Sequence, residues 1–74
     1  MSNSKLCTAS IDVVNSRTGD SLCNFSYSPH VTGDYEGARR LAVHFVRDYC
    51  SRHKMPVSSF EFIDHYHCSR WVLD

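Results

Sequence analysis

The sequence predicts an α+β domain of β-β-α-β order, a three-stranded, mainly antiparallel sheet with one helix packed on one face. Three observations carry that prediction. Ala38, Leu41, Ala42, Phe45 and Tyr49 recur at steps of three and four within Asp34 to His53, the period of one buried helix face. Before it, the stretches 6–15 and 21–28 alternate apolar and polar residues in steps of two, the period of half-buried strands. After it, the aromatic stretch 58–73 alternates in the same way. The chain has 74 residues, 42% of them hydrophobic, which suffices for one core and argues against disorder. A single domain spanning 1–74 is expected, with 1–5 a frayed polar start.

The first strand places Cys7, Ala9, Ile11 and Val13 on one side and Thr8, Ser10 and Asp12 on the other. The second places Cys23, Phe25 and Tyr27 opposite Asn24 and Ser26. A three-residue loop Arg17-Thr18-Gly19, with Gly19 left-handed, sets Val13 against Cys23, Ile11 against Phe25 and Ala9 against Tyr27. Every apolar residue then meets another on the same face. Pro29 ends the second strand, because proline cannot donate to a ladder.

Thr32 or Asp34 is expected to cap the helix, with Asp34 and Glu36 near its positive end. Arg52, His53 and Lys54 close it, and Pro56 stops it. In the third strand Phe60 and Phe62 share one parity, and Asp64 breaks that apolar pattern, which calls for a bulge, an edge or a polar partner. A right-handed crossover through the helix makes the third strand parallel to the second. It then lies beside the first, in sheet order 2-1-3, with 1-2-3 the alternative.

Eight Lys/Arg balance eight Asp/Glu, so the chain has no general pull toward phosphate or anionic lipid. Five of the eight bases nevertheless lie on or just after the helix: Arg39, Arg40, Arg47, Arg52 and Lys54. The first ten residues hold no apolar run of signal-peptide length, and no stretch approaches membrane-spanning length, so the expected location is cytoplasmic. The four cysteines then read as reduced thiols rather than a disulfide framework.

Zinc is the cofactor that four cysteines and five histidines bring to mind. There is no CxxC pair, and the best set is Cys50, His53, His65 and His67, with Cys68 nearby. A third strand that leaves the helix end carries His65 about 20 Å away, so no cofactor is the preferred expectation and zinc the alternative. No nucleophile elbow is present, and so small a fold offers little room for a pocket, so no enzyme is expected. Base-stacking aromatics face the helix in the proposed register, which leaves only Arg40, Arg47 and His44 on the outer helix face for nucleic acid.

Macromolecular binding is the function these features favour. Val43, Val46 and Cys50 widen the apolar arc of the helix to roughly 200°, beyond the ~100° that one-sided packing needs. With Trp71 they form an expected contact patch, bordered by Arg39, Arg40 and Arg47, for a protein partner or a second copy. The expectation is therefore a small non-enzymatic accessory or inhibitor protein, of the kind that phages and mobile elements carry. A zinc-stabilised module and a nucleic-acid-binding domain are the alternatives.

Overall fold

The computed structural model describes residues 9–73. The expected frayed start at 1–5 and the strand residues expected at 6–8 lie outside the described residues. In order the elements are β1 (Ala9–Asn15), β2 (Ser21–Tyr27), α1 (Asp34–His53), a short 3₁₀ turn (Val57–Ser59), β3 (Phe60–Asp64) and β4 (Ser69–Val72). The sheet runs β2-β1-β3-β4 with every neighbouring pair antiparallel, and α1 lies over β1 and β2. The α+β class and the order 2-1-3 hold, but there are four strands, not three.

Ala9 faces Tyr27, Ile11 faces Phe25 and Val13 faces Cys23, the register that the alternation predicts. The loop differs from the expected one. Asn15 N donates to Asp20 O at 2.8 Å and Gly19 N donates to Asn15 O at 2.7 Å, so residues 16–19 make a four-residue loop. Asn15 Oδ1 accepts from Arg17 N and Thr18 N, and Gly19 turns back at a φ of 81°. The register then shifts between Val13 and Val14, and this bulge restores the pairing that side-chain packing demands.

Helix α1 has the expected bounds but not the expected cap. Gly33 precedes it in the left-handed region, with no side-chain cap, and the Asp34 carboxylate instead accepts from Ser28 N at 2.6 Å. That bond ties the end of β2 to the helix start. At the other end Lys54 is left-handed, and its N–H and that of Met55 both reach Cys50 O.

The helix is also rotated from the expected face. Ala38, Ala42, Val46 and Cys50 are buried, whereas Leu41 is 60% and Phe45 40% exposed. An apolar arc this wide does not locate its own centre. Contacts on one flank do: Tyr35 packs on Tyr27 with ring centroids 5.2 Å apart, and Arg39 sits over Trp71. The core that results joins Ile11, Val13, Phe60 and Phe62 of the sheet to Ala42, Val46 and Cys50 of the helix. Burying Phe62 alone contributes about 2–3 kcal/mol in transfer terms.

Residues 58–73 form a hairpin rather than one strand. Phe62 pairs with Trp71 and Asp64 with Ser69, across a four-residue turn at 65–68. Cys68 takes the left-handed position in that turn, with a φ of 53°. His65 and His67 therefore do not share a strand face as expected. His65 Nε2 meets Asp12 Oδ2 at 2.7 Å, while His67 Nδ1 meets Asp64 Oδ2 at 2.8 Å.

Candidate functional site

The rotation of α1 decides which side chains it offers. With Ala42 and Val46 turned to the sheet, Arg39 and Val43 fall on the flank beside β4, while Leu41 and Phe45 fall on the flank beside β2. On the β4 side Glu36, Arg39, Arg40, Val43 and His44 line an open hollow of about 280 Å³. Its most ordered member is Arg39. The guanidinium carbon lies 4.4 Å from the Trp71 ring centroid, and Nη1 donates to Tyr35 Oη at 3.4 Å. Trp71 is itself stacked on Phe62 at 5.3 Å, so the platform beneath Arg39 is anchored in the core.

Electrostatics single out the same flank. Arg52 pairs with Asp48 and Arg70 pairs with Glu61 through two hydrogen bonds of 2.9 and 3.0 Å. That pairing holds the Glu61 carboxyl below the usual range. Among the described residues Arg39, Arg40 and Arg47 have no carboxylate within 4.0 Å. Three guanidinium groups thus remain available on one helix flank of a chain whose net charge is zero.

Of the contact patch expected from sequence, the structure keeps Arg39, Arg40, Val43 and Arg47 at or near the surface and places Trp71 half-buried beneath Arg39. Val46 and Cys50 are corrected: they are 0% and 2% exposed and belong to the core. They took up the inner face that the periodicity had given to Leu41 and Phe45. Burial raises the Cys50 thiol pKa, which keeps it protonated and unreactive.

Sequence reasoning flagged Asp64 but missed its partners. The carboxylate is fully buried and accepts from Tyr27 Oη at 2.8 and 3.0 Å, Tyr66 N at 3.0 Å, and His67 N and Nδ1 at 3.1 and 2.8 Å. Burial pushes its pKa up, but hydrogen bonds from His67 and Tyr27 outweigh that and hold it below the usual range. Burial, and then the same contact, pushes the Tyr27 hydroxyl up. Tyr35 closes over this group, 4.7 Å from the His67 ring. An acidic residue on an apolar parity was the available signal, and it marks a turn built around a carboxylate.

The outer sheet face carries a second polar set. Asn24 Nδ2 donates to Asp12 Oδ1, and this bond with the His65 contact lowers the Asp12 pKa against a smaller effect of burial. Burial and the nearby Asp12 raise the Cys23 thiol to about 11. The metal candidates do not converge. His53 stacks on Tyr49, Cys50 Sγ points to Pro56 O, and Cys68 Sγ points to His65 O. Among the described residues no three His, Cys, Asp or Glu side chains are grouped to hold a metal ion.

Among those residues, too, no helix is long and apolar enough to cross a membrane. Compared with protein-family models, with curated proteins and with solved structures, the chain matches none.

Proposed function

We propose that the protein is a small non-enzymatic binding domain, of the accessory or inhibitor type, whose α1 flank docks an acidic surface of a partner protein. The observation that carries this reading is Arg39 held on Trp71 at the rim of a hollow that Arg40 and Val43 also line, with Arg47 further along the same helix flank. Among the described residues none of the three guanidinium groups has a carboxylate within 4.0 Å. Arginine presents a planar fork that matches carboxylates, and a pre-positioned one loses less freedom on binding. An acidic protein surface suits the site better than a nucleic acid. Val43 gives the hollow an apolar contact for a protein side chain, while Glu36 beside the arginines interrupts the positive charge that a phosphate backbone would follow. Glu36 opposes an acidic partner of either kind, but less where that partner's acidic groups are discrete. Catalysis is not proposed, because the Asp64 carboxylate is enclosed and occupied in holding the β3–β4 turn. The thiols of Cys23, Cys50 and Cys68 suit a reducing compartment such as the cytoplasm.

Trp71 is the single tryptophan of the chain and lies under Arg39, so its emission reports the site directly. Titration with an oligoglutamate peptide is expected to shift that emission, less so as salt rises. The double variant Arg40→Ala/Arg47→Ala is expected to bind roughly tenfold more weakly. A DNA duplex that binds more tightly than the peptide, with a steep salt dependence, would transfer the site to nucleic acid. No response to either ligand at low salt would discard the reading.

A further inference from the structure

The flank of α1 opposite the arginines, and the strand beside it, point to a second surface. Among the described residues β2 is an edge of the sheet, seven residues long, and Ser21-Leu22-Cys23-Asn24-Phe25-Ser26-Tyr27 contains no charge and no proline. Edge strands normally carry such features to prevent pairing with another chain. The other edge, β4, is shorter and carries Arg70. Directly above β2, Leu41 and Phe45 are exposed, and Phe45 packs edge-on against Phe25 at 5.9 Å.

We propose that both features are covered by a second copy of this chain, paired antiparallel through β2 about a twofold axis normal to the sheet. That axis keeps the two helices on the same side of one continuous eight-stranded sheet. Because α1 lies over β1 and β2, a strand spacing of about 4.8 Å brings the two helix axes about 10 Å apart, a helix-packing distance. The flanks that meet are then Leu41 and Phe45 of each copy. On that flank Asp48 and Arg52 already pair with each other, and the Asp34 carboxylate, seven residues before Leu41, accepts from Ser28 N at the helix start. One contact thus supplies ladder partners to the open edge and covers the exposed apolar residues above it. The arginine flank faces away and stays free in both copies.

Sedimentation velocity of the full chain over a concentration series tests the proposal. A dimer is expected for the wild type and for Leu41→Met. Leu41→Glu and, independently at the strand, Ser26→Lys are expected to weaken association tenfold or more, because twofold symmetry applies each change twice. Far-UV circular dichroism should be unchanged, since both positions are exposed. Hydrogen exchange on the wild type gives a measurement that needs no variant. Amides of β2 that do not bond to β1 should become protected as concentration rises. A monomer at every concentration, a dimer that Leu41→Glu leaves intact, or β2 amides indifferent to concentration would each overturn it. Arg40→Ala/Arg47→Ala should dimerise normally, which separates this surface from the docking flank.

Discussion

Asp64 gathers four donor groups onto one enclosed carboxylate, from β2, from its own turn and from the His67 ring. Removing it strands two backbone N–H groups and leaves the Tyr27 hydroxyl only the His67 ring at 3.2 Å, so Asp64→Ala should cost about 3 kcal/mol, read from urea midpoints. Asp64→Asn keeps an acceptor for the turn and should cost clearly less. The pH dependence has a definite sign. A carboxyl held below its ordinary value contributes stability that is complete above about pH 4 and is lost as pH falls through the lower folded value. The acid limb of the stability curve should therefore flatten in Asp64→Asn, while His67, Tyr27, Tyr35 and Tyr66 stay around it. The sequence shows that Asp64 is out of place on an apolar parity. It does not show Tyr27, because a partner 37 residues away leaves no local trace.

At the scale of elements, the helix ends and the β1–β2 register are legible because each is set by short-range pattern: alternation, glycine and proline stops, charge at the termini. The rotation of α1 is not legible, since Val46 and Leu41 both lie inside one wide apolar arc and only Tyr35 and Arg39 choose between them. β4 is hidden for a different reason. Its turn, His65-Tyr66-His67-Cys68, has no glycine, asparagine or proline, and a cysteine takes the left-handed position. Lys54 takes the same conformation at the end of α1, where a side chain is a strain. Lys54→Gly should raise stability by about 1 kcal/mol, a rise of about 4–8 °C in the thermal midpoint of a domain this size. An unchanged or lowered midpoint would mean that the lysine side chain contributes more than its backbone costs.

For the molecule as a whole, the crossover makes β3 parallel to β2 and leaves the orders 2-1-3 and 1-2-3 both open in the sequence; pairing of β3 with β1 settles it for the first. What cannot be read is the separation of the two α1 flanks. A formal charge of zero conceals three arginines beside β4 and an apolar strip beside β2. Both arise only once the helix has a fixed rotation over the sheet.

The sheet order also gives the molecule a fracture line. β1 and β2 are joined by a four-residue loop, as are β3 and β4, but the β1–β3 seam joins segments that the whole of α1 separates. Each hairpin keeps its own ladder if that seam parts, and closing it carries the largest loop entropy. Assembly should end there, with the β3–β4 hairpin docking last and the Tyr27–Asp64 bond acting as the latch across it. Native-state hydrogen exchange would show β3 amides bonded to β1 opening together, at lower free energy than those of the β1–β2 ladder. Equal protection on both sides of β1 would mean instead that the chain opens as one unit.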